Sequence, residues 1–194
     1  MQRRPAGQLV FWAGQASFFL VLALSLQLGR GLDALQSGRV VTILAVAYLV
    51  ASIQAPALTA RLGRRLPAIG ALVLAAGHGL LAASVADVGT TGSVGLLAPA
   101  LLLVGAGMGL VITPLTSTVL ASLEPEHAGA ASGALSTMQQ VGNAIGVAVT
   151  GVVFFGALDH GFAHAFELSL AQLAALCVAV AALTRLLPRP AAAS

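Results

Sequence analysis

Six long apolar stretches, separated by short segments rich in glycine and charged residues, dominate the chain. They cover residues 9–28, 40–60, 66–85, 96–120, 128–155 and 168–187. An α-helix needs roughly 20 apolar residues to cross a bilayer, and each stretch is about that long or longer. The pattern therefore predicts a single all-α domain over residues 1–194, with six membrane-spanning helices joined by short loops.

The composition strengthens this prediction and excludes two other classes of protein. Hydrophobic residues make up 58% of the chain, charged residues only 8%, and the mean hydropathy is +0.98. A soluble domain carries about 25% charged residues, so this chain is neither a soluble enzyme nor a disordered polymer. The lipid bilayer is its expected environment.

Other features exclude further partners and cofactors. The net charge of +3 comes from a few scattered arginines, which do not form a nucleic-acid-binding patch. Cys177 is the only cysteine and lies in an apolar run, so we expect no disulfide, metal cluster or cofactor. The closest approach to the Gly-x-Ser-Gly of an intramembrane serine protease is Ala130–Gly133, which has alanine where the first glycine is required. We therefore expect no enzymatic activity.

The arginines indicate how the chain crosses the membrane. Two lie on the side opposite the N-terminus, Arg30 and Arg39. Seven lie on the side of the N-terminus: Arg3, Arg4, Arg61, Arg64, Arg65, Arg185 and Arg189. Basic residues accumulate on the cytoplasmic side of membrane proteins. With an even number of spans, this distribution predicts that both termini lie in the cytoplasm, and we expect the membrane to be the plasma membrane.

Ionisable side chains are almost absent from the predicted spans. All six acidic residues are predicted to lie outside them, which leaves His78 in the third span. A buried ionisable group can mark a proton pathway, but a neutral histidine can also form a hydrogen bond to a neighbouring helix. We favour the second interpretation for His78.

The fifth span combines small and polar residues at helical spacing. Gly129 and Gly133, then Gly142 and Gly146, form two small-xxx-small pairs that favour close helix packing in lipid. A predicted polar stripe follows the same helix: Ser132, Ser136, Gln139, Gln140, Asn143 and Thr150. Such a stripe must face protein or a wet cavity, so hydrogen bonding between helices and contact with a substrate both remain open.

The fourth span carries glycines followed by a proline. Gly105, Gly107 and Gly109 precede Pro114, which stands near two threonines, Thr113 and Thr116. Proline removes a backbone hydrogen bond from a helix. The segment therefore predicts a closely packed and kinkable helix.

Several of these segments resemble one family of transporters. They are Phe18–Leu20 with Gln27, Leu35–Gly38, Leu58–Arg65 with its Arg-Leu-Gly-Arg-Arg ending, Gly105–Leu115, Glu124–Gly133 and Gln140–Gly146. The chain resembles the C-terminal half of a major facilitator superfamily transporter, and more narrowly the 14-span branch of drug:proton antiporters that export multiple drugs and quaternary ammonium compounds. In the arginine-containing loop, the third of these segments, the acid before the first arginine and an earlier glycine are usual in the family, and here those places hold Ala60 and Pro56.

The resemblance implies a fold, an activity and a set of site residues. The fold would be half of a major facilitator, two inverted three-helix repeats. The activity would be proton-coupled export of drugs or amphipathic small molecules, with protons and a small-molecule substrate as ligands. In the family's plan, polar residues on the first and fourth helices line the cavity, with contributions from the fifth. The corresponding residues here are Gln15, Ser25, Gln27, Thr113, Thr116, Gln140 and Asn143. An inner gate would be formed by Arg61, Gly63, Arg64 and Arg65.

Such a half requires a second bundle. We expect the chain to be a fragment whose N-terminal transporter half is missing, or less readily a half that pairs with a second copy of itself. A non-transporting membrane scaffold, or a degenerate remnant of a transporter, is the alternative that the lack of an acid in the spans favours.

Overall fold

Six long helices form the molecule. The computed structural model describes residues 4–121 and 128–186, and within these ranges the regular structure is entirely helical. The long helices are α1 (Arg4–Leu24), α2 (Ala34–Leu62), α3 (Leu66–Val88), α4 (Ala98–Ala121), α5 (Ala128–Gly156) and α6 (Phe162–Leu186). Shorter turns are Ser25–Gly29, which is π-helical, and the 3₁₀ turns Gly63–Arg65, Val94–Leu97 and Leu158–His160.

Each long helix contains a stretch that is long and apolar enough to cross a membrane. The stretches are Phe11–Gly29, Ala34–Leu62, Leu66–Asp87, Val94–Ser117, Ser132–Gly156 and Phe162–Ala182. The predicted all-α fold with six membrane-capable helices is therefore confirmed.

The second helix begins six residues earlier than the hydrophobic pattern predicts. The Asp33 carboxylate accepts a hydrogen bond from the Gln36 backbone N–H at 2.7 Å, and the Gln36 side-chain carbonyl accepts one from the Asp33 N–H at 3.1 Å. This capping box satisfies backbone donors that the first helical turn leaves free. Polar residues therefore extend α2 beyond its apolar part.

The sixth helix also begins early, which moves an acidic residue into a span. Gly161 has a φ of +98°, a conformation that favours glycine and separates the preceding 3₁₀ turn from α6. Because α6 starts at Phe162, Glu167 lies inside a membrane-capable segment, and Asp87 is the last residue of another. The sequence predicts these two acids outside the spans, whereas the structure has both within helical segments that are long and apolar enough to cross a membrane. Glu124 and Glu126 lie outside the described residues.

The helix contacts follow an inverted repeat. Helix α4 packs against α2 and α3, α1 packs against α5 and α6, and α3 packs against α6. Exchanging α1 with α4, α2 with α5 and α3 with α6 maps these contacts onto one another. Because each repeat has three helices, the second repeat crosses the membrane in the opposite direction to the first.

The core lies between α1, α3, α4 and α6, whereas α2 and α5 leave more of their surface uncovered. Phe18, Phe166 and Met108 are completely or almost completely buried in this core. Only 22% of the apolar stretch of α2 and of α5 is buried, compared with 50% for α3 and α4. Helices α2 and α5 thus present the largest uncovered faces of the bundle.

Candidate functional site

The predicted cavity residues of the first helix lie at different depths. Gln15 is half-buried and lines a narrow cavity together with His78. Ser25 is buried, and Gln27 is exposed two residues further on. At a rise of about 1.5 Å per residue, Ser25 lies roughly 15 Å along the helix from Gln15.

Ser25 and Gln27 both lie in a π-helical turn that follows α1. Over Ser25–Gly29 the backbone widens, and the Arg30 N–H donates to the Ser25 carbonyl oxygen at 3.0 Å. The turn ends where Gly29 meets α6, since a Cβ at Gly29 would lie 3.3 Å from the Cβ of Phe162. π-Helical turns occur frequently at functional sites. Sequence reasoning missed this turn, and no sequence signal marks it.

The two threonines of α4 lie beside Pro114. Thr113 and Thr116 are half-buried, and Pro114 is buried within an uninterrupted helical segment. Pro114 has no N–H to donate to the carbonyl of Leu110, the usual α-helical acceptor. The two threonines therefore lie in the part of α4 where a backbone hydrogen bond of the helix is missing.

The polar stripe of α5 divides into an exposed and an inward part. Gln140 is exposed, as are Ser132 and Ser136. Asn143 is half-buried, and its buried Oδ1 has no hydrogen-bond partner among the described residues. Thr150 is 1% exposed, and its Oγ1 accepts from the Gln172 side-chain amide at 3.5 Å.

The seven predicted cavity residues do not form one cluster within this chain. Three of them lie on the α1–α5 pair, Gln15, Gln140 and Asn143, and two lie on the π-helical turn that follows α1, Ser25 and Gln27. Thr113 and Thr116 belong to α4, which packs against α2 and α3 instead. The exchange that relates the two repeats maps α1 onto α4 and α5 onto α2, so the residues of the α1–α5 pair and the threonines of α4 lie in different repeats' contact groups.

Close packing on α4 depends on its glycines. Gly105 and Gly109 face α2, and Gly107 faces α3. A Cβ at Gly109 would lie 2.8 Å from the Tyr48 carbonyl oxygen, and one at Gly107 would lie 2.6 Å from the Leu74 nitrogen. Helix α4 therefore lies in backbone contact with neighbours on two sides.

The two glycine pairs of α5 have different surroundings. Gly142 and Gly146 are buried, and a Cβ at Gly146 would overlap the Ala13 backbone of α1. Gly129 and Gly133 are exposed, with open space above both among the described residues. Gly133 and Gly142 are nine residues apart, which at about 100° per residue places them on opposite faces of the helix.

The predicted inner gate lies in the α2–α3 connection. Gly63 has a φ of +53° and ends α2, and Arg61 and Arg65 are exposed around it. The side chain of Arg64 lies outside the part of the structure that is described. The exposed guanidinium groups are free to meet lipid headgroups or another protein surface.

Arg30 joins two loops at the opposite end of the bundle. Its Nη1 donates to the Gly92 carbonyl oxygen at 2.6 Å, and its Nη2 donates to the Gly89 carbonyl oxygen at 2.7 Å. Partial burial lowers the pKa of the Arg30 guanidinium, which nevertheless remains protonated because arginine does not lose its proton in proteins. The α1–α2 connection is thereby fastened to the α3–α4 connection.

Histidine, cysteine and acidic side chains in the described ranges form no group that could hold a metal ion. No set of three or more histidine, cysteine or acidic side chains comes together there. His160 and His164 contact each other with ring centroids 5.5 Å apart, and both are exposed.

The helices, the inverted contacts and the polar residues on α1, α4 and α5 define a multi-pass membrane protein with the architecture of half a transporter.

Comparison with known proteins supplies the family. Residues 6–194 match the Major Facilitator Superfamily. The chain is 36% identical over 151 residues to the "Probable actinorhodin transporter" of Streptomyces coelicolor, an alignment covering 77% of this chain and 26% of that protein. It is 34% identical over 194 aligned positions to the "Cephamycin export protein CmcT" of Amycolatopsis lactamdurans, covering 93% and 37% respectively. It is 41% identical over 70 residues to the "Puromycin resistance protein pur8" of Streptomyces alboniger, covering 34% and 14%.

The chain belongs to the major facilitator superfamily. It spans 26% of the first of these relatives and 37% of the second, well under half of either. Membership identifies a transporter-class membrane protein and not an enzyme, as the sequence predicts.

Proposed function

We propose that the chain forms the C-terminal half of a proton-coupled exporter of drugs or other amphipathic small molecules, in the 14-span branch of the superfamily. The observation that carries this proposal is the similarity to relatives whose names describe antibiotic transport, export or resistance. The similarity to the export protein extends over 93% of the chain, so it includes both repeats.

The uncovered faces of α2 and α5 support a second six-helix bundle as the partner. Exposed apolar residues recur along both helices: Val46, Leu49, Val50 and Ile53 on α2, and Val141, Ile145, Val149 and Val152 on α5. Lipid could cover these residues, but it does not satisfy the exposed side-chain amide of Gln140 on α5. The N-terminal transporter half would cover them, or a second copy of this chain.

The distribution of polar residues supports a substrate path between two bundles. Exposed Gln27 and Gln140 interrupt otherwise apolar helix surfaces, and polar groups at membrane depth are stable where they face protein or a wet cavity. Asn143 adds a buried carbonyl oxygen without a hydrogen-bond partner among the described residues. These groups would contact an amphipathic substrate without fixing its identity.

Proton coupling requires a group that changes charge during the cycle. Among the described residues, Glu167 and Asp87 are the acids within membrane-capable segments, and both lie near a segment end. A carboxylate that reaches the midplane would therefore come from the partner bundle. The arginine distribution supports an orientation with both termini in the cytoplasm, and an exporter of this kind would act in the plasma membrane.

Export by a chimera tests the proposal. This chain would replace the segment that it matches in the cephamycin export protein, and the chimera would be produced in bacteria that lack their own drug exporters. We expect it to lower ethidium accumulation several-fold. Gln140→Leu in the chimera should reduce this export, whereas Thr137→Val should not, because the Thr137 hydroxyl donates to Gly133 of its own helix at 3.0 Å.

The opposite result would favour a different function. A chimera that reaches the membrane at the normal level, and yet leaves ethidium accumulation unchanged, would contradict the proposal. It would support the non-transporting scaffold or degenerate remnant instead.

A further inference from the structure

His78 is a deeply buried polar residue without a protein partner. It is 2% exposed on α3, and neither ring nitrogen has a hydrogen-bond partner among the described residues. Its ring contacts the ring of Phe18 in a tilted arrangement, with ring centroids 5.0 Å apart. The bond to a neighbouring helix that the sequence predicts for His78 is therefore not formed by protein atoms in the described ranges.

A small cavity adjoins this imidazole at the junction of α1, α3 and α6. It offers about 10 Å³ to the centre of a water molecule, which is close to the lower limit for holding one. Gln15 of α1 and Cys177 of α6 are its polar lining besides His78, and apolar side chains such as Phe11, Leu74 and Leu173 form most of the remainder.

A neutral imidazole has one nitrogen that donates and one that accepts a hydrogen bond. Burying both without a partner incurs the full desolvation cost of two polar groups, and a membrane interior offers no bulk water to reduce it. A ligand that both donates and accepts hydrogen bonds would remove most of this cost. The cavity volume limits that ligand to about the size of water.

We infer that a single water molecule occupies this cavity and bridges the His78 imidazole to the Gln15 side-chain amide, so that α3 is tied to α1. The Gln15 amide can donate to or accept from such a water, as can His78. Of the titratable groups among the described residues, only His78 on α3 and the Cys177 thiol on α6 line the cavity, and α1 contributes the uncharged Gln15. With no carboxylate among the described lining residues, the site favours a neutral ligand over a cation.

This water site does not rest on the proposed function, since it concerns the packing of one bundle. It gives His78 a positioning role, in which the residue orients Gln15 of α1 through the water. The site therefore predicts two measurable properties: water beside a buried histidine, and energetic coupling between residues 15 and 78.

Solid-state NMR of the whole chain in bilayers measures the first property. Histidine labelled with ¹⁵N gives ring signals from four residues, and the His78 signals are those lost in His78→Gln. We expect a neutral ring at pH 7 and rapid magnetisation transfer from water to a ring nitrogen, despite the burial. A dry ring, or an imidazolium at pH 7, would overturn the inference.

A double-mutant cycle measures the second property. His78→Leu and Gln15→Met each remove one end of the bridge, so each should lower the melting temperature in detergent. Once one end is lost, removing the other should cost little, and the double variant should melt close to either single variant. His78→Gln should retain most of the stability because its amide can still bind water.

A matched pair serves as the control. Gln172 also lies on a neighbouring helix, but it bonds Thr150 and does not line the cavity. His78→Leu and Gln172→Met should therefore lower the melting temperature additively. Additive shifts for residues 15 and 78 as well would overturn the inferred bridge.

Discussion

Several serine hydroxyls within the apolar helices donate to their own backbone, although the buried hydroxyls of Ser37 and Ser52 have no partner among the described residues. Ser17, Ser84 and Ser169 each donate to the carbonyl oxygen four residues earlier, at 2.6, 2.8 and 2.8 Å. Such bonds can be predicted from a sequence because they depend only on helical geometry. Arg30 differs, since its two acceptors lie 59 and 62 residues away. The sequence predicts its side of the membrane but not its partners, because these are set by tertiary packing.

Arg30→Ala tests the link between the loops. Removing the guanidinium leaves the Gly89 and Gly92 carbonyl oxygens without this donor, so we expect a loss of about 1–3 kcal/mol in the free energy of unfolding. Arg39→Ala is the matched control, because Arg39 is exposed at the same end of the bundle and its substitution removes the same charge. Thermal unfolding in detergent measures both. Equal losses in the two variants would mean that charge, and not the loop contact, determines the effect.

At the scale of helices, the length of an apolar stretch predicts well that a helix is present, but it predicts less well where that helix begins and ends. All six helices were predictable because about 20 apolar residues have few alternatives to a membrane helix. The early start of α2 depends on a capping box, Asp33 with Gln36, whose sequence signal was present but is weaker than the apolar run. The glycine pairs of α5 show a second limit. Gly-xxx-Gly spacing predicts a packing face, but only tertiary structure shows that Gly146 meets α1 while Gly133 meets no described residue.

The same substitution at two glycines should have opposite effects. In Gly109→Ala the new Cβ would meet both the Ala51 Cβ and the Tyr48 carbonyl oxygen at 2.8 Å, so α2 and α4 must separate. We expect a loss of about 1–3 kcal/mol in the free energy of unfolding. Gly133→Ala enters open space and improves helix propensity, so stability should be unchanged or higher by up to about 1 kcal/mol.

Denaturant unfolding in mixed micelles, followed by circular dichroism, compares these two variants. Similar stability of both variants would show that α2 and α4 are not in backbone contact at Gly109.

For the molecule as a whole, the sequence predicts the parts of the candidate site but not their arrangement. Periodicity and family resemblance select polar residues on three predicted helices. The structure places three of them on the α1–α5 pair, two on the π-helical turn after α1 and two on α4. The depth of each residue in the membrane, and the direction in which it faces around its helix, depend on how the helices pack. No local sequence motif specifies that packing. The uncovered faces of α2 and α5 are likewise a property of the bundle. They make a second bundle the central requirement of the proposed function.

Cysteine labelling tests the proposed orientation of the whole molecule. In a Cys177→Ala background, we expect an impermeant thiol reagent added to intact cells to label Ser93→Cys and not Arg61→Cys. Both positions are exposed, and they lie at opposite ends of α3. In opened cells both should react. Labelling of Arg61→Cys alone from outside would reverse the orientation.

Proton-driven drug transport by the isolated chain tests the central claim most directly. The chain would be reconstituted as a monomer in vesicles, and ethidium movement would be followed under a proton gradient with and without an uncoupler. Alternating access requires two bundles that rock about a site between them, and this chain supplies one. We therefore predict no uncoupler-sensitive ethidium transport above that of empty vesicles, while the folded state is verified by helical circular dichroism. Uncoupler-sensitive transport by the monomer would contradict the account, because a single six-helix bundle would then suffice.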